Sequence, residues 1–265
     1  MPLVKRSSRI SFLAASVLTA LCCSGQISYA GNTKFTPITS NLLGYSTERH
    51  AVDIEVVGST SLVPHEHKLE PDRVLRLRFE RAFVTNFMTK VAPGFSLLTL
   101  DYDHPSGLPQ SLISAVSMRG RFHQDIPGVP DLSRVEALRR HIILHIRSDR
   151  SVASRLGFLR SAAGCAGRPS GNGLIEMALS KSFGASACSG SIYPDARKWL
   201  ARLPDTTMVV IECHGDDQWT IGCSTDFDFH GFSVEIKFHQ SLLAEWRVLI
   251  ASAHALLASH QVVQQ

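Results

Sequence analysis

The chain has 265 residues, 44% of them hydrophobic and 19% charged, with a formal net charge of +4 and a mean hydropathy of +0.05. That composition is globular and excludes a disordered or low-complexity chain. The charge is too small to argue for nucleic acid, and no run reaches the roughly 18–20 consecutive apolar residues of an ordinary membrane span.

Residues 1–30 read as a secretory signal peptide. Lys5, Arg6 and Arg9 form a basic head, Ile10 to Cys23 an apolar run, and Ser28-Tyr29-Ala30 a small-residue cleavage pattern. Leu21 and Cys22 precede the two leader cysteines, which disfavours lipidation. Removing the leader takes away three basic residues and no acids, so the mature charge is 4 − 3 = +1. The expected location is the periplasm, with no membrane span in the mature form and no nucleic-acid partner.

Residues 31–50 carry no clear period and read as a mobile lead-in. Ala51 to Val57 alternates Val52, Ile54 and Val56 against Asp53 and Glu55, a half-buried strand. Arg73 to Phe79 alternates Leu75, Leu77 and Phe79 against Val74, Arg76 and Arg78. Phe95 to Tyr102 is a further strand, closed by the turn His104-Pro105-Ser106-Gly107. Arg139 to Arg147 favours a strand by its β-branched content, after a helical Ser133 to Leu138. Gly164 to Gly173 reads as a long surface loop near the boundary between two halves.

Met208 to Cys213 is an apolar strand. Thr225 to Phe229 and Phe232 to Phe238 flank His230-Gly231, a two-residue hairpin turn that sets Phe229 against Phe232 and Phe227 against Val234. Leu242, Leu243, Trp246, Leu249, Ile250, Ala253, Leu256 and Leu257 then recur at helical spacing, with Ser241 as the expected cap. The fold class is α+β: antiparallel sheet with helices packed on one face, and a C-terminal amphipathic helix over a β-meander. The expected division is an N-terminal subdomain over 51–155 and a C-terminal one over 156–265.

Four cysteines follow the leader, and an even number in an exported chain points to disulfides. Cys213 and Cys223 lie at strand ends that a meander brings close, and Cys165 and Cys188 pair by elimination. A zinc site from Cys213, His214, Cys223 and His230 has suitable residue types but no familiar spacing. His65 and His67 read as loop histidines, and His141 with His145 as a solvent-facing pair lacking the Glu of a zinc hydrolase. Asp101, Asp103 and His104 cluster, as do Asp226, Asp228 and His230; aspartates alternating on a strand usually form its wet face. G-x-S-x-G and phosphate-loop patterns do not occur. No cofactor and no metal are expected.

The C-terminal segment resembles a known group. A strand ending in Cys213, a second strand from Cys223, the Gly231 turn, the alternating Ser233 to Phe238 and the helix start at Leu242, Trp246 and Arg247 resemble the last segment of exported bacterial proteins. These include periplasmic immunity proteins that neutralise lipase effectors of type VI secretion. The resemblance implies an α+β fold and a toxin-blocking, non-enzymatic role. The resemblance implies a protein partner and assigns no contact residue. From the residues themselves, Trp219 in the loop between Cys213 and Cys223 is a candidate anchor or folds back on its own sheet, and Arg76 and Arg78 form a basic stripe that is either a solvated face or meets an acidic surface. A hydrolase or metal-binding enzyme built on the His and Asp clusters, and an envelope assembly factor, are the alternatives.

Overall fold

Alternation of apolar and polar residues builds the strands of this protein, and their pairing merges them into one large sheet and one small one. The computed structural model describes residues 34–58, 73–88, 97–117, 123–147, 152–179, 188, 195–205, 207–215 and 222–263. The leader, His65, His67 and Trp219 lie outside the described residues.

In chain order the strands are β1 (Leu42–Leu43), β2 (Ala51–Gly58), β3 (Arg73–Glu80), β4 (Val84–Met88), β5 (Leu97–Asp103), β6 (His141–Arg147), β7 (Gly167–Pro169), β8 (Leu174–Met177), β9 (Arg197–Arg202), β10 (Met208–Cys213), β11 (Cys223–Phe229) and β12 (Phe232–Phe238). The helices are α1 (Gln110–Ser117), α2 (Arg134–Arg140), α3 (Val152–Ala163) and α4 (Trp246–His260). The ten-stranded sheet runs β1-β4-β5-β6-β12-β11-β10-β9-β8-β7, and β2 pairs with β3 alone.

The architecture is α+β. It differs from the expected pair of subdomains because β6 hydrogen-bonds along β12, from Ile143↔Lys237 to Arg147↔Ser233. That seam carries the large sheet across the 155/156 boundary, and residues 34–265 form one compact unit. Part of the expected lead-in is tied down as well. β1 pairs with β4 at Leu42↔Phe87, and the Ile38 N–H donates to the Asp53 carbonyl at 2.9 Å. The Gly-rich stretch supplies β7 and its turn into β8.

One face of the large sheet is apolar. Leu98 and Leu100, Leu144 and Ile146, Val234 and Ile236, Phe227 and Phe229, and Val209 and Ile211 join Ile54 and Val56 of β2, Leu77 and Phe79 of β3, and α4 in one core. Each such burial contributes roughly 1.5–3 kcal/mol. α3 sits on the opposite face, where Leu159 and Ala162 meet Val210 and Met177. Val210 alternates with Val209 and Ile211, so it must point the other way.

The hairpin register is as read from the sequence: Phe229↔Phe232 and Phe227↔Val234. His230 and Gly231 both take positive φ, 51° and 83°, as a type I′ turn requires. The C-terminal segment begins as a 3-10 turn over Gln240–Glu245 and becomes α-helical at Trp246. His239 caps it in place of Ser241, its ring accepting the Ser241 N–H. The stretch Gln240–His260 is long and apolar enough to cross a membrane, but Trp246, Leu249, Ile250, Ala253 and Leu257 are buried in the core.

Candidate binding surface

Away from α3, which covers Val210 and Met177, the second face of the large sheet is mostly polar, and its order follows directly from register. Asn86↔Thr99, Thr99↔His145, Glu235↔His145 and Asp226↔Glu235 form one row across β4, β5, β6, β12 and β11. A parallel row runs from Asp101 through Ile143, Lys237, Ser224 and Glu212 to Lys198. In the middle strands this face is half-buried, and Asp228 is exposed.

Its charges hold one another. His145 Nδ1 lies 3.2 Å from Thr99 Oγ1, Arg147 Nη2 lies 3.2 Å from Glu235 Oε2, and Lys198 Nζ lies 3.6 Å from Glu212 Oε2. Burial holds the His145 pKa below the ordinary histidine value, and the Lys237 charge adds to that. The neutral imidazole is therefore the form favoured at neutral pH.

Towards β5 the face closes over. Asp101 is buried. It accepts from the Tyr45 hydroxyl at 3.2 Å and from Thr85 Oγ1 at 3.1 Å, and it lies 3.2 Å from His141 Nε2. Burial, then the Asp101 charge, pushes the Tyr45 hydroxyl up to about 12. Asp103 is fully buried and receives Arg140 Nη2 at 2.6 Å and the Ser106 hydroxyl. Arg140 Nε also donates to the His104 carbonyl, and His104 Nε2 lies 3.3 Å from Glu245. This cluster fastens the end of β5 to α2 and to the turn before α4.

Several sequence expectations change here. Asp101, Asp103 and His141 are buried rather than part of a wet face, because segments distant in sequence cover them. Arg76 and Arg78 do not form a bare basic stripe. Arg76 Nε donates to Glu55 at 3.0 Å, and Arg78 donates to both carboxylate oxygens of Asp53 at 2.5 and 2.9 Å. β2 places those acids directly opposite the arginines. The grouping of His145 with Thr99 and Glu235 escaped sequence reading, since each lies on a different strand. Strand alternation puts Thr99, Asp101 and Asp103 on one face, but nothing local reveals that β5, β6 and β12 are neighbours.

Two disulfides are present. Cys213 and Cys223 are register partners on β10 and β11 with Cα atoms 4.0 Å apart, and Cys165 is bonded to Cys188 across 5.5 Å. The sulfurs required by the zinc alternative are thus joined to each other. Among the described residues no three His, Cys, Asp or Glu side chains converge to hold a metal ion.

No known protein family matches the chain, and no curated protein matches it. Among solved structures the chain is similar to Smlt3025, an immunity protein of the Stenotrophomonas maltophilia type IV secretion system. The identity is 13%, the TM-score is 0.46, and the match covers 85% of this chain and all of that one. It is also similar to the Neisseria meningitidis iron-regulated outer membrane lipoprotein FrpD, at 12% identity and a TM-score of 0.35, over 70% of this chain and 88% of that one.

Proposed function

We propose that this chain is an exported envelope protein that acts by binding another protein, most concretely as an immunity protein that blocks an antibacterial effector, and that it is not an enzyme. The observation carrying this reading is the half-buried polar part of the second face over β6, β12 and β11, whose charges are already paired across strands, as Arg147 is with Glu235. A surface ordered before contact loses little conformational freedom on binding. A stable complex buries roughly 1,200–2,000 Å² in total. The two disulfides support the exported setting, since such bonds persist in oxidising compartments.

The test is co-expression of this chain with the product of the adjacent gene in the periplasm. The expected result is a toxic product neutralised by this chain through a complex that survives gel filtration. A harmless neighbour, or a toxic one that is not rescued, rejects the immunity role. A hydrolase reading would draw on the Thr99–His145 contact. It requires substrate turnover by the purified chain that His145→Ala abolishes.

A further inference from the structure

At the β7 end of the large sheet, two arginines hold a single carboxylate, and a third is anchored on the turn that leads into β8. Arg168 Nη2 and Arg197 Nη2 reach Glu176 at 2.9 and 2.7 Å, one on each oxygen. The guanidinium of Arg197 lies over the Trp199 ring, 5.0 Å from its centroid. Arg247 lies over Trp246 at 4.4 Å and donates to the Asn172 carbonyl at 2.8 Å. Both tryptophans are buried, so the ring beneath each cation is immobile.

All three guanidinium side chains remain open to solvent; those of Arg168 and Arg197 are 79% and 51% exposed. Arg168 and Arg197 together outweigh the one carboxylate they share, and Arg247 makes no carboxylate contact. A guanidinium has five N–H donors in a planar fork, and the contacts to Glu176 and Asn172 use only part of each. Rigid, stacked and partly unsatisfied arginines are the groups that grip carboxylates in pairs.

We infer that the corner formed by Arg168, Arg197 and Arg247 docks an extended acidic segment of a protein partner. This rests on the binding reading above and adds to it a contact at the β7 edge, on the side of the sheet that Trp199 faces. Acidic side chains on alternate residues of an extended segment lie on one side and can reach more than one of these arginines. β7 is the last strand of the sheet and exposed throughout, so the segment can approach it. Pro169 offers no N–H, which limits main-chain pairing there and leaves recognition to the arginines.

The probe is a fluorescein-labelled octapeptide of alternating Glu and Ala, followed by anisotropy against the purified full chain. The matching Lys–Ala peptide and a labelled single-stranded DNA serve as comparisons. The acidic peptide is expected to bind at low salt. Arg197→Ala and Arg247→Ala should each weaken it about fivefold, as the loss of one charge-assisted contact does. Glu176→Gln, which removes the competing carboxylate, should tighten it. The inference is overturned if the peptide does not bind, if it binds all variants alike, or if the DNA binds more tightly than the peptide. The same variants entered in the co-expression assay separate the two claims. Full rescue by a chain lacking all three arginines rejects the corner and leaves the immunity reading standing. Arginine-dependent peptide binding by a chain that rescues nothing does the reverse.

Discussion

The imidazole of His260 lies flat on the ring of Phe79, with centroids 4.2 Å apart and planes 7° apart. Phe83 meets the same imidazole edge-on at 5.7 Å, and His260 Nδ1 sits 2.8 Å from the Leu256 carbonyl. The last residue of α4 is thereby clamped between β3 and its own helix. Burial lowers the His260 pKa, against the opposing pull of the Leu256 carbonyl and Glu80.

That geometry makes stability depend on pH. His260 and His145 both bind protons less readily folded than unfolded. Their contribution is complete above the unfolded histidine pKa of about 6.5 and is lost as pH falls through the lower folded values. Urea midpoints should therefore be lower at pH 5.5 than at pH 7.5, and His260→Phe should flatten the difference. A second loss follows in stronger acid. Burial raises the Asp53 pKa, but the Arg78 hydrogen bond and charge and the Thr36 N–H together bring it below its ordinary value. Hydrogen bonding to Arg197 leads the lowering at Glu176. Both contributions hold above about pH 4 and vanish as those carboxylates protonate.

Trp246 fills the junction between α4 and the core and donates its indole N–H to the Asn172 carbonyl at 3.1 Å. Trp246→Ala should cost about 3–5 kcal/mol by chemical denaturation. Trp246→Phe keeps most of the ring volume and loses the hydrogen bond, so its cost should be nearer 1 kcal/mol. Equal midpoints for wild type and the alanine variant would contradict the packing.

The two arginine pairs across β2 and β3 should behave differently. The Arg78 and Asp53 side chains are only 13% and 10% exposed, whereas Arg76 and Glu55 are near 30%. Arg78→Met strands a largely buried carboxylate and should cost about 3 kcal/mol. Arg76→Met should cost under about 1 kcal/mol, because solvent screens that pair. Comparable losses in the two variants would reject this ranking.

The Cys213–Cys223 bond closes a short loop between paired strands. Replacing both cysteines with alanine should cost about 2–3 kcal/mol by the loop-closure model. Peptide mapping of the protein produced under oxidising conditions and purified without reductant should recover 213–223 and 165–188 as linked fragments. Free thiols at those positions would refute the pairing.

What could be read in the sequence was local. The β11–β12 register followed from alternation plus His230-Gly231, because one turn fixes every pair behind it. The apolar stripe of α4 was equally visible. The β6–β12 seam was not, since nothing near residue 145 announces a partner near residue 235. For the same reason His141 read as solvent-facing while lying buried against Asp101. Arg78 read as part of a basic stripe because its acid is 25 residues away.

Both flanks of the two-stranded sheet are occupied by chain from opposite ends of the fold: Ile38 donates to Asp53 on β2, and Val262 donates to the Arg76 carbonyl on β3. Cutting the protein after His260 would uncover a row of main-chain groups on β3 ready to template a second molecule. Gln261 and Val262 thus cover part of the β3 edge, and a chain cut after His260 is expected to pair there with a second copy, seen as a larger species in gel filtration.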